Sequence, residues 1–278
     1  MVHVLDDLPR SDEKLTAREQ FVATGGPAAN AAVTFAALSG QAALHTVLGS
    51  HPAATIARAE LADCRVEVHD ADPSRRLAPP VSAVRVEAAT GLRSVSSADS
   101  AGPAPSEPAD FGDADVLLVD GHWATLAVAA ARWAQDQSVP AVVDAGRARP
   151  VYAELFSHAD LVVASSDYHP DPTELALRAG ADAVAVTDGP RPVRWATVDG
   201  SGAVDVPAVT ALDTSGAGDV FHGAVAYAIS CVGWPTAVAL LPQVLAFATA
   251  VAGVRVGHRG PRAWLADPRL KELAARWS

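Results

Sequence analysis

The stretch Asp213-Thr214-Ser215-Gly216-Ala217-Gly218-Asp219-Val220-Phe221-His222-Gly223-Ala224 decides how this chain is read. Two carboxylates lie six residues apart, with two hydroxyls and a Gly-Ala-Gly turn between them. Val220, Phe221, Ala224, Val225, Ala228, Ile229 and Val232 then recur at the spacing of one helix face. The turn therefore opens a helix. The first N–H groups of a helix lack intrahelical partners and sit at the positive end of its dipole, which suits an anion. Asp219 stands in the first turn. An anion cradle beside a carboxylate is what phosphoryl transfer to a hydroxyl needs: donors for the moving group and a base for the attacking alcohol. Glycine turns and capping aspartates are also ordinary at helix starts, so a bare Gly-x-Gly leaves both readings open.

Composition narrows the class. A chain of 278 residues, half of them apolar, can bury a large core, and one α/β domain with a small appendage fits its size. No uninterrupted apolar run reaches the roughly 18 residues of a membrane span. Asp6, Asp7 and Asp12 stand where a secretory leader would be basic and then apolar. Cys64 and Cys231 alone make no disulfide framework, so a cytoplasmic protein is expected. A formal charge of −11 argues against nonspecific nucleic-acid binding.

From residue 116 onward, short β-branched runs alternate with helical stretches. Strands are expected at 116–119, 141–143, 161–163 and 183–186, with helices at about 124–135, 151–157 and 172–179. This rhythm predicts a parallel sheet with helices on both faces. After Ala217 the chain reads as mostly helical. Two regions depart from the rhythm. Residues 81–96 alternate in polarity and turn at Thr90-Gly91, which is a hairpin; residues 2–24 hold short extended pieces. Together they would form a small separate sheet, or else an edge of the main one. Residues 101–108, rich in proline, read as a connecting loop.

Further constellations sit where loops meet elements. Gly25-Gly26-Pro27-Ala28-Ala29-Asn30 precedes a helix of small residues ending at Gly40. The glycines let a ligand approach the backbone, and the Asn30 amide both donates and accepts, as vicinal hydroxyls require. A tight loop with a capping Asn is the alternative. Thr187 and Gly189 follow a strand at its C-terminal end, where open parallel sheets bind ligands. Asp120-Gly121-His122-Trp123 closes another strand, and His122 would line a pocket or sit in the core. Gly257-His258-Arg259-Gly260-Pro261-Arg262 ends a helix. No Walker-type Gly-x-x-x-x-Gly-Lys-Ser/Thr occurs, and the histidines show no zinc-ligand spacing.

The string at 213–224 and the Gly25-Gly26…Asn30 segment together resemble the two signatures of the ribokinase and phosphofructokinase-B family of sugar kinases. The resemblance runs from about Leu5 to Asp267. It implies a ribokinase-like three-layer α/β/α fold with a mostly parallel central sheet. A small β-sheet lid, with strands from about 2–24 and 81–98, would be inserted in a single domain spanning 1–278. It implies Asp219 as general base and Gly216, Ala217 and Gly218 as the anion hole. Gly25, Gly26, Asn30 and His122, with Asp219, would contact the acceptor. Thr187, Gly189, Ser165, Asp213, Thr214, Gly257 and Gly260 would face ATP, and Asp213 would neighbour a monovalent cation such as K+. Mg2+ would arrive with the ATP. Where many relatives carry Asn-x-x-Glu to organise magnesium, this chain has Ser165 and Tyr168, with Asp167 nearby.

The family's usual opening is a core strand ending in an Asp that holds the sugar. Met1–Pro9 resembles the segment after that Asp, so the strand and its carboxylate are expected upstream of Met1 or absent. The Gly-Gly-Pro-Ala-Ala start, the Asp-Val-Phe-His-Gly-Ala string and Arg262-Ala263 look most like the ketohexokinase and sulfofructose-kinase branch. The expectation is an ATP-dependent kinase acting on a primary hydroxyl of a ketose or derivatised ketose, a homodimer through the lid being frequent among relatives. The alternatives are a nucleoside (adenosine-like) kinase or a catalytically weak ligand-binding homologue.

Overall fold

The computed structural model describes residues 1–98 and 111–277. The loop expected at 101–108 falls outside them. In chain order the first elements are β1 (Val2–Leu5), β2 (Glu19–Phe21), α1 (Pro27–Ala37), β3 (Ala42–Thr46), α2 (Pro52–Asp63), β4 (Val66–Asp70), β5 (Ser82–Glu87) and β6 (Arg93–Ser97). Then follow β7 (Leu117–Asp120), α3 (Ala124–Gln137), β8 (Ala141–Ala145), α4 (Tyr152–Leu155), β9 (Leu161–Ser165), α5 (Thr173–Ala179), β10 (Ala183–Asp188), β11 (Arg191–Thr197) and β12 (Ser201–Val204). Helices α6 (Ala217–Val232), α7 (Trp234–Ala239), α8 (Leu241–Val256) and α9 (Arg269–Ala274) complete the described chain.

The main sheet runs β12-β11-β10-β9-β8-β7, parallel from β7 to β10. Strands β8 and β9 are mostly apolar because both of their faces are covered, with Asp144 in β8 and Ser165 at the end of β9 as the polar positions. Strand alternation divides the core into two layers. Leu161, Val163, Ala183 and Ala185 face α6, α7, α8 and α9, whereas Val162, Ala164, Val184 and Val186 face α3, α4 and α5. This is the three-layer α/β/α arrangement. The antiparallel strands β11 and β12 are an addition that the sequence reading did not foresee.

A second sheet, β2-β1-β5-β6, holds the chain's first residues and the hairpin. Strands β3 and β4 pair in parallel with each other, as a separate two-stranded sheet. Strand β7 bonds β8 on one side and, among the described residues, no strand on the other. Both β3 and β7 line one cavity of about 2110 Å³.

Helices α1 and α6 cross at a contact that only glycine permits. A Cβ on Gly223 would lie 2.4 Å from the Ala31 carbonyl oxygen and 2.8 Å from Thr34 Cβ. Backbone cannot yield there as a flexible side chain would. Gly223→Ala should lower unfolding free energy by about 1–3 kcal/mol through overpacking, despite alanine's better helix propensity. Urea denaturation of the two proteins would measure it, and equal midpoints would refute the close-packing account.

Candidate active site

The site forms where the two sequence signatures meet. Gly216 caps α6 in the left-handed region, at φ 73°, and Asp219 lies in the first turn beyond it. Gly26 caps α1, and Asn30 sits in that helix's first turn. Although 189 residues apart, Asn30 Nδ2 donates to Asp219 Oδ2 at 2.7 Å. The amide's orientation follows from its other neighbour. Arg262 Nη1 donates to Asn30 Oδ1 at 3.1 Å, and since arginine can only donate, the oxygen must face it. Arg262 is itself fixed by Glu60 Oε1 at 2.8 Å and the Thr24 carbonyl at 2.7 Å. The Thr24 amide in turn donates to Glu60. Gly25, Gly26, Asn30, Gly216, Ala217, Gly218 and Asp219 all line the cavity. The Ala217 amide also donates to the Thr214 carbonyl at 3.3 Å.

One end of the cavity is acidic. Asp120 ends β7; its Oδ2 accepts from the Ala28 amide at 3.1 Å and its Oδ1 from the His122 amide at 2.9 Å. It thereby ties the Gly-Gly loop to the main sheet. His122 lines the cavity, its Nδ1 3.4 Å from Asp120 Oδ2 and its Nε2 3.4 Å from Arg149 Nη2. Asp144, in β8, also lines it. His222, one turn beyond Asp219, places Nδ1 3.3 Å from Asp144 Oδ2, within ion-pair range though outside hydrogen-bond geometry. Burial pushes the Asp144 carboxyl up to about 7; His222 opposes this, and the charges of Asp219 and Asp120 add to it. Asp120 and Asp144 were not assigned roles from sequence. The signal available was a carboxylate at or near the C-terminal end of a buried parallel strand, in each case.

The other end is built from the remaining strand ends. Ser165 ends β9, and Thr187 lies in β10 with Gly189 just beyond it; all three line the cavity. Ser165 Oγ accepts from the Asp167 amide at 3.1 Å, and Thr187 Oγ1 donates to the Ala164 carbonyl at 3.3 Å. Tyr168, at the place of the relatives' glutamate, is buried against Tyr152 and Phe156, whereas Asp167 lines the cavity. Arg93 of β6 reaches across to donate to the Thr214 carbonyl.

Two expectations draw no support from the geometry. Gly257 and Gly260 do not line the cavity. Gly257 ends α8, and Gly260 is buried where a Cβ would meet the Phe21 ring at 2.8 Å. Nor does the surrounding of Asp213 fit a monovalent cation. Arg255 Nη2 donates to Asp213 Oδ2 at 3.0 Å, while the Ser215 amide donates to Oδ1 at 2.9 Å. Burial works against ionisation of Asp213, but Arg255 and the Ser215 amide outweigh it and hold the carboxyl below its ordinary range. Asp213 and Thr214 do line the cavity.

Residues 3–267 match the model of the pfkB family carbohydrate kinases. The chain belongs to that family. It is thus a ribokinase-like phosphotransferase. Ribokinase of Thermotoga maritima superposes with a TM-score of 0.74 at 21% identity, covering 99% of this chain and 95% of that one. Arabidopsis thaliana ribokinase, solved with ribose and ATP, gives 0.75 at 20% identity, covering 98% and 94%. A Burkholderia thailandensis nucleoside kinase solved with inosine gives 0.68 at 17% identity, covering 99% and 93%. Kinases of this family use ATP with magnesium. Among the described residues no group of three or more His, Cys, Asp or Glu could hold a metal by itself. Asp167 and Asp188 are carboxylates that line the cavity beside Ser165 and Gly189.

The raised Asp144 carboxyl has a consequence for stability. Between the unfolded value near 4 and the folded value of about 7, the folded state holds a proton that the unfolded state has lost. Wild-type stability should therefore fall as pH rises through this window and level off above it. Asp144→Asn should remove that slope, so its stability relative to wild type climbs from pH 4 to 7. Denaturation at a series of pH values would measure it; parallel curves would contradict the assignment.

Proposed function

We propose that the protein transfers the γ-phosphoryl group of ATP to a primary hydroxyl of a sugar, a ketose or derivatised ketose being the favoured acceptor. The supporting observation is the meeting of Asp219, Asn30 and the α6 N-terminus in one cavity. Asn30 engages Asp219 Oδ2, which leaves Oδ1 to take the acceptor's proton. The amides of Gly216 and Gly218, with that of Ala217 once it leaves the Thr214 carbonyl, would receive the transferring group, where developing charge is greatest. Asp120, Asp144 and Asn30 supply several hydrogen-bonding groups beside the base, a set matched to a polyol. His122 and Arg149 bound the same region. Ser165, Thr187 and Gly189 hold the nucleotide from the strand ends, and magnesium supplies charge neutralisation at its phosphates.

In this reading the small sheet β2-β1-β5-β6 acts as the lid. Its Arg93 bond to Thr214 draws β6 toward the anion hole. Val22, Leu92 and Val95 on or beside the sheet are exposed, which favours a second copy packing there.

The test is ADP release with Mg-ATP and a panel of fructose, ribose, sulfofructose, tagatose derivatives and adenosine. Turnover with a ketose supports the proposal; preference for adenosine would replace it with the nucleoside-kinase reading. Asp219→Asn should lower kcat by about 10²–10⁴-fold, the range of a lost general base, while ATP binding is retained. A change in kcat of only a few fold would remove Asp219 from that role.

A further inference from the structure

Asp213 immediately precedes the anion-hole loop, and the end of α8 grips it closely. The Leu212 and Asp213 amides both donate to the Val256 carbonyl, at 2.7 and 3.3 Å. One residue earlier, Arg255 turns its guanidinium inward with only 3% of the residue exposed. Its Nη2 lies 3.0 Å from Asp213 Oδ2, and its Nη1 lies 3.2 Å from the Asp213 carbonyl and 3.0 Å from the His258 carbonyl. Three oxygens from two segments thus converge on one buried positive charge. A bare monovalent cation would need that same kind of oxygen set. It would also need a negative charge, and the single Asp213 carboxylate is already neutralised by Arg255. Two cations sharing one buried carboxylate would leave an uncompensated charge out of water, which is costly.

Resting on the kinase reading, we propose that Arg255 is the built-in cation of this enzyme. Its guanidinium takes the place beside Asp213 that K+ would occupy, and turnover needs no monovalent cation. Arg255 is a positioning residue. Although it lines the cavity, its guanidinium is engaged by Asp213 and His258, and it holds the Asp213–Ser215 loop, and through it the Gly216–Gly218 amides, in one arrangement. The guanidinium fork does this with directed bonds, whereas an exchangeable ion would do it only while it is bound.

The experiment compares the full chain in KCl and in choline chloride at equal ionic strength. Initial rates with Mg-ATP and acceptor should be the same in both salts, and so should the thermal unfolding midpoint without ligands. A rate that climbs and saturates with KCl, or a K+-specific rise in the midpoint, would overturn the proposal, since a bound ion stabilises the state that binds it. Arg255→Ala opens the space while leaving the three oxygens. It should lose about 10²-fold in kcat, the scale of a small misplacement of catalytic groups, and regain part of it when K+ is added. Full activity of that variant in choline would also sink the idea. If Arg255→Ala does not fold, Arg255→Lys keeps a charge there and should be slower yet still indifferent to K+; K+ stimulation of it would count against the proposal. Failure of the kinase reading would show as no ADP release in either salt, and the unfolding comparison would then decide the cation question by itself.

Discussion

The approach of α1 to α6 at Gly223 is the constraint on which the rest of the site depends. With no side chain there, the Ala31 carbonyl can lie against the α6 backbone. That contact sets the two helix N-termini side by side, and the amide of Asn30 then falls within 2.7 Å of the Asp219 carboxylate. A longer separation would part the two signatures and leave each as an ordinary capped helix. The geometry around Asp219 is therefore set by a glycine one turn further along α6, packed against α1.

The polar groups around this contact form linked supports of different kinds. Arg262 orients Asn30 while joining the Gly-Gly loop, α1 and α2 to the chain's later residues. Arg255 holds the other side of the α6 entrance through Asp213. Both arginines place a rigid fork among several oxygens, a task for which lysine's point charge is poorly suited. On the acidic side, burial and the charges of Asp219 and Asp120 raise the carboxyl of Asp144. A proton held there near neutral pH would let that group donate as well as accept.

Much of this was legible before any coordinates. The apolar runs of β8, β9 and β10 announced strands buried on both faces, and the Gly216-Ala217-Gly218-Asp219 string announced its helix terminus. What escaped were features set by tertiary neighbours. The β11–β12 hairpin carries exposed polar residues such as Arg191 and Arg194, so its alternation was muted. Asp144 read as the residue after a strand, because its burial depends on His222 and on helices distant in sequence. Gly257 and Gly260 looked like nucleotide contacts from position alone, yet the Phe21 ring covers Gly260 from the small sheet. Arg255 gives no signal in the sequence, and only the fold shows the oxygens it meets.

The cavity that β3 and β7 both line bears on water. Among the described residues each of these strands bonds a neighbour on one side only, and backbone N–H and C=O groups facing the cavity would be met by water. A volume of about 2110 Å³ exceeds the roughly 300–1,000 Å³ of ordinary ligand pockets, so much solvent remains after two small molecules have entered. On the proposed reading, water would compete for the nucleophile's position beside Asp219. Closure of the small sheet would then set how much ATP is hydrolysed without an acceptor, and fidelity of transfer would rest on closure as much as on the base.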